Sequence, residues 1–129
     1  TTLNPGGVRI GTAEIYQTVE RFGEVEDSLV ISQPWQNDER IILFLKMKDR
    51  ITLTNSLKTR VKNSIRESCT PRYVPAKIIA VADIPYTING KKVELAVKQI
   101  IQNQNVINKD ALVNPESLDY YKEIEELTI

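Results

Sequence analysis

The apolar residues of this chain follow two rhythms. Over 13–22, "AEIYQTVERF", Ile15, Val19 and Phe22 recur at i, i+4 and i+7 and predict a helix with one buried stripe. Thr12 stands where an N-cap belongs, and Gly23 where a helix stops. Over 52–68, "TLTNSLKTRVKNSIRES", the stripe is Leu57, Val61 and Ile65, with Thr52 or Thr54 as cap. Over 92–102, "KVELAVKQIIQ", it is Val93, Val97, Ile100 and Ile101. The second rhythm is the short apolar run. "VEDSLVISQ" (25–33), "RIILFLKMK" (40–48) and "AKIIAVA" (76–82) read as strands. The middle one is so apolar at its centre that it predicts burial on both faces. The polar "PWQNDE" (34–39) predicts an antiparallel hairpin between the first two.

Punctuation completes the order. "NPGGVRIG" (4–11) holds three of the five glycines and reads as a turn. Pro71 and Pro75 bracket a rigid link. The tail "NPESLDYYKEIEELTI" (114–129) carries Leu118, Tyr121 and Ile124, a stripe suited to a short docked helix. The expected order is α-β-β-α-β-turn-α, with no internal repeat. Three strands with helices laid on them make a small α+β fold, one domain over residues 1–129.

Composition narrows the chemistry. No segment approaches the roughly 18 consecutive apolar residues of a membrane span. The start, Thr1-Thr2-Leu3-Asn4-Pro5, has no signal-peptide layout and no initiator Met, and it reads as a piece of a longer chain. Lys plus Arg and Asp plus Glu number 17 each, so no global field favours nucleic acid or an anionic membrane. Cys69 is the one cysteine, which excludes an internal disulfide and suits a reducing, cytoplasmic setting. Histidine is absent, which removes Ser-His and Cys-His catalysis and weighs against a metal site.

Candidate chemistry therefore rests on cations and glycines. In "PYTINGKKVE" (85–94), two lysines follow an Asn-Gly pair that tolerates positive φ and lets the chain reverse in two residues. A lysine there is a mobile point charge on an anchored stem, suited to phosphate or carboxylate oxygens. Read locally, the same stretch is an ordinary surface hairpin. Gly7 lets the backbone approach a ligand closely, and Arg9 follows two residues on. Read locally, these are a helix-entry turn and a surface arginine. Lys58, Lys62 and Arg66 line one side of the second helix, either as a phosphate-holding stripe or as a solvated face. In "PRYVP" (71–75), Tyr73 reads as a packed ring in a stiff linker. Trp35 is a loop anchor or a partner contact, and Tyr120 and Tyr121 are docking residues of the tail.

In this order the stretches are more specific than any one alone. "GVRIGTAEIY", "PRYVP" and "IPYTINGKKVE" resemble three motifs in the C-terminal domain of the adenylate-forming enzymes, which include acyl-CoA synthetases, adenylation domains of peptide synthetases and luciferases. With "ILFLKM", "VELAVKQII" and "NPESLDYYKEI", nearly the whole chain is similar to the members that activate acetoacetate. The resemblance implies the small mobile domain of a ligase, with a large N-terminal adenylation domain as partner. It implies ATP, with Mg²⁺ held mainly by that other domain, then coenzyme A, and a small carboxylate. Lys91 falls on the catalytic lysine and Gly7 on the glycine that lines the pantetheine tunnel. Arg9 matches an arginine near phosphate or the opposite domain. Val8 stands where the family often has histidine or another residue, a departure read as tolerated. Lys62 and Arg66 are exchangeable candidates for coenzyme A phosphates, because the helix differs in length there. Lys92 is then expected as a first-turn residue facing solvent. Two alternatives stay open: a stand-alone interaction module of the same fold, or a synthetase for another short acid such as acetate.

Overall fold

The computed structural model describes residues 2–3, 10–106 and 109–129. Two residues, Thr2–Leu3 (β1), pair antiparallel with Ile10–Gly11 (β2), a small ladder the apolar pattern does not announce. Then follow α1 (Ala13–Val19), β3 (Val25–Trp35), β4 (Asp38–Met47), α2 (Asn55–Ser68), β5 (Lys77–Ala80) and α3 (Glu94–Ile101). The expected α-β-β-α-β-turn-α order is present.

The main sheet has the order β3-β4-β5. β3 and β4 are antiparallel, with Val30 opposite Leu43. β5 runs parallel to β4, with Leu43 opposite Ile78, because the connection passes through α2. Parallel neighbours need such a crossover. β4 is central, and successive side chains on a strand point to opposite faces. Ile41, Leu43 and Leu45 join Ile15, Val19, Leu57, Val61 and Ile65 in one core. Ile42 and Phe44 join Leu29, Ile84, Val97, Ile100, Leu118 and Tyr121 in another. The sheet thus separates two apolar cores, and β4 is buried on both faces as its composition predicts. Each fully buried aliphatic side chain contributes about 1.5–3 kcal/mol.

Three local expectations change and two open ones settle. The hairpin is tight, not a six-residue connection: the strands run on to Trp35 and Asp38, leaving only Gln36 and Asn37 to turn. Both adopt left-handed backbone, φ 50° and 64°, which matches the twist of a two-residue hairpin. Pro34 is tolerated because β3 is an edge strand. Arg40 stacks over Trp35, 3.7 Å from the ring centroid, so Trp35 anchors the hairpin end. Thr54 caps α2, its Oγ1 accepting the Leu57 N–H at 3.1 Å, whereas Thr12 makes no side-chain cap bond to α1. The tail forms two 3₁₀ segments, Pro115–Tyr121 and Glu125–Thr128, rather than one helix. It is nonetheless docked: Tyr121 is fully buried edge-on against Phe44, with centroids 4.9 Å apart.

Candidate functional site

Residues 84–92 form a short hairpin beside β3. Tyr86 bridges Lys92 across it. The Thr87 carbonyl accepts the Gly90 N–H at 2.9 Å, and the Thr87 N–H donates to the Lys91 carbonyl at 2.8 Å. The reversal therefore takes three residues, Ile88 to Gly90, rather than two. Gly90 alone of these carries positive φ, 79°, where a side chain would be strained. The Thr87 hydroxyl also accepts the Lys91 N–H at 3.1 Å, which stiffens the stem of that residue.

The hairpin is tied down at its base. The Asn114 amide accepts the Tyr86 N–H at 3.0 Å and donates to the Ile84 carbonyl and to Asp83, each at 2.9 Å. The Tyr121 hydroxyl donates to the Asp83 carbonyl at 2.8 Å. A second bridge, Thr87 to Leu112, and the Val113 N–H to Tyr86 carbonyl bond add a flanking strand-like segment.

The two lysines at the tip differ sharply. Lys91 is exposed, and no side-chain hydrogen bond or ion pair among the described residues engages its ammonium. Lys92 does not face solvent and does not belong to the first turn of α3, which begins at Glu94. Its side chain is only 17% exposed and pairs with Glu20 and with Asp27, the latter at 3.3 Å. Its Nζ lies 3.8 Å from the centroid of the Tyr16 ring, a cation–π contact. The Tyr86 hydroxyl donates to the other oxygen of Asp27. Tyr16 donates to Glu94 and accepts the Val30 N–H, both at 3.0 Å. Burial, then the bond to Asp27, pushes the Tyr86 phenol above its usual range, and burial and the Glu94 charge do the same to Tyr16. Both stay protonated at neutral pH and act as donors.

The other candidates lie elsewhere. Gly7 and Arg9 fall outside the described residues. Lys58 and Lys62 are half-buried and Arg66 is exposed on α2, where Arg66 donates to Asn63 at 3.1 Å. The apolar stripe of α2 enters the first core, while Tyr86 of the hairpin and Val93, which follows it, pack against the second. The structure does not join the α2 stripe to Lys91. Tyr73 packs against the first core, as a linker ring should. Sequence reading missed Tyr16, Glu20, Asp27, Tyr86 and Asn114. Only Asn114, directly before Pro115 at the start of the tail, stood at a recognisable turn position. A single exposed cation on a clamped bend can meet an anionic oxygen brought from outside without rearranging its own domain.

No family model matches the chain. It is 55% identical over 126 residues to an acetoacetyl-coenzyme A synthetase from Rhizobium meliloti, which covers 98% of this chain and 19% of that protein. An acetoacetyl-CoA synthetase from Xenopus tropicalis is 53% identical over 127 residues, with the same coverage of both. The solved acetoacetyl-CoA synthetase from Streptomyces lividans superposes with a TM-score of 0.87 at 35% identity, covering all of this chain and 20% of that one. The chain thus spans about one fifth of the length of the relatives it matches.

Proposed function

Because this chain is homologous over almost its whole length to acetoacetyl-CoA synthetases, which are adenylate-forming enzymes, we propose that it acts as the mobile C-terminal domain of an acid–thiol ligase. In this reading acetoacetate attacks the α-phosphorus of ATP, giving acetoacetyl-adenylate and pyrophosphate. The thiol of coenzyme A then attacks the adenylate carbonyl, giving the thioester and AMP. ATP, its Mg²⁺ and the acid sit mainly on a larger N-terminal domain.

One observation carries the proposal: of two adjacent lysines on a stiff bend, Lys92 is bound within the domain and Lys91 is left exposed. The first step joins two anions and builds charge on phosphoryl oxygens. A cation placed in advance lowers that barrier and holds carboxylate near phosphate. Lys91 is the proposed source of that charge. For the second step the domain turns, Lys91 withdraws, and Gly7 lines the path of the pantetheine arm, with Arg9 beside it. Lys62 and Arg66 are the proposed contacts of coenzyme A phosphates. The cytoplasm is the proposed setting, and no helix among the described residues is long and apolar enough to cross a membrane.

The test is Lys91→Ala in the full-length enzyme. Adenylate formation, read by pyrophosphate exchange, should fall by about 10²–10³-fold, the usual loss for one donor aimed at transition-state charge. Thioester formation from supplied acetoacetyl-adenylate should stay near wild type. If both half-reactions persisted, the assignment of the reacting charge to Lys91 would fail and Lys91 would be an ordinary surface lysine.

A further inference from the structure

We propose that Lys92 is a positioning residue for Lys91: its ammonium, locked among Glu20, Asp27 and the Tyr16 ring, fixes the strand on which Lys91 is mounted. This rests on the reading of Lys91 as the reacting cation, and it adds a residue to which no chemical step is assigned above.

The geometry favours orientation over simple stability. Lys92 follows Lys91 by one peptide bond, so whatever fixes the backbone at 92 fixes the direction from which the Lys91 side chain leaves. Three elements converge on the Lys92 ammonium. α1 supplies the Tyr16 ring and, at its C-cap, Glu20; β3 supplies Asp27, and the facing hairpin strand supplies Tyr86 through Asp27. Each acidic partner is held in turn. Glu20 accepts the Ser28 hydroxyl at 2.7 Å, and Asp27 accepts the Ser28 N–H at 2.8 Å. Tyr16 is anchored by Val30 and Glu94. Glu20 is exposed, but the pair with Asp27 lies largely out of water, and such a pair is a poor means of gaining stability, since an apolar side chain of similar size often does as well. What it adds is direction. A side chain bound at several points has one place to be, and a reacting group held to a fraction of an ångström depends on such support. Asn114 holds the incoming strand of the hairpin, and Lys92 holds the outgoing one, with Lys91 at the end of the pair.

The experiment uses the full-length enzyme and measures both half-reactions, KM for ATP and acetoacetate, and the melting temperature. Lys92→Met removes the charge but keeps the length. It should lower the rate of adenylate formation about tenfold or more with little change in KM, because the anions still bind while the cation is misaimed. Thioester formation from supplied adenylate should stay within about twofold. Lys92→Arg, which keeps charge and reach, should restore most of the rate. If Lys92→Met fails to fold, Tyr86→Phe decides the matter, since it keeps the ring and removes only the hydrogen bond to Asp27. It should show the same selective loss, about threefold or more. An unchanged adenylation rate in a folded variant, or equal loss of both half-reactions, overturns the proposal. Lys91→Ala run alongside separates the two readings. If it lowers adenylation as expected while Lys92→Met leaves the rate unchanged, only the positioning role fails. If Lys91→Ala is itself silent, the functional reading fails with it.

Discussion

Asp83 feels two opposed influences. Burial pushes its carboxyl up, but the Asn114 amide, the Ile84 N–H and Lys46 outweigh that and hold it below the usual carboxylate range. It accepts from Asn114 at 2.9 Å, from its neighbour Ile84 at 3.0 Å and from Lys46 at 3.3 Å. The residue therefore joins β4, the base of the Lys91 hairpin and the start of the tail. A carboxyl whose folded-state pKa lies below its unfolded value of about 3.9 contributes stability above that value. The contribution is lost as pH falls through the lower, folded value. Lowering pH from about 5 to about 3 should therefore reduce the melting temperature of the wild type more than that of Asp83→Asn. The variant should be the less stable of the two at neutral pH. Parallel melting curves across that window would show that Asp83 is not the titrating tie.

At the scale of elements, the β3–β4 hairpin carries a correctable strain. Gln36 and Asn37 both adopt left-handed backbone, and Gln is a poor choice there. Asn-Gly suits such a two-residue turn best. Replacing the pair, Gln36→Asn with Asn37→Gly, should stabilise the chain by about 0.5–1 kcal/mol, read by urea denaturation. The proposed chemistry lies far along the chain and should not change. A loss of stability would mean that the side chain of Gln36 or Asn37 is needed at the turn. This hairpin also marks where sequence reading runs out. The stripes Ile15-Val19 and Leu57-Val61-Ile65 were legible because a helix face repeats every three to four residues. Burial of β4 on both faces was legible from its unbroken apolar centre. The turn was not, because its polar flanks continue the ladder through Pro34 and Glu39 by backbone bonds that side-chain character does not report. Lys91 is singled out by a turn signal local in sequence and by a resemblance carried by three motifs in order along the chain. The Lys92 cage was hidden because its partners lie 72 and 65 residues away, at Glu20 and Asp27, and neither carries any local mark.

At the scale of the whole molecule, the sheet divides the proposed work. Lys91 stands on a hairpin packed against the core that holds Phe44 and Tyr121, while Lys62 and Arg66 ride on the helix that fills the other core. Two separate surfaces suit a domain that presents one to ATP and, after turning, the other to coenzyme A. Because β4 lines both cores, a core substitution would disturb both surfaces at once, so the division is best tested from the outside. Lys62→Ala combined with Arg66→Ala leaves the buried stripe of α2 intact and removes two charges from its solvent side. The pair should raise KM for coenzyme A roughly tenfold, equivalent to about 1.4 kcal/mol of binding, with the maximal rate of thioester formation little changed. Adenylate formation should be untouched. The wild-type KM for coenzyme A should also rise with salt more steeply than that of the double variant, since exposed charge–phosphate contacts are screened. A loss of adenylation in the double variant would mean that the two faces are not independent. An unmoved KM would place the coenzyme A phosphates on other cations.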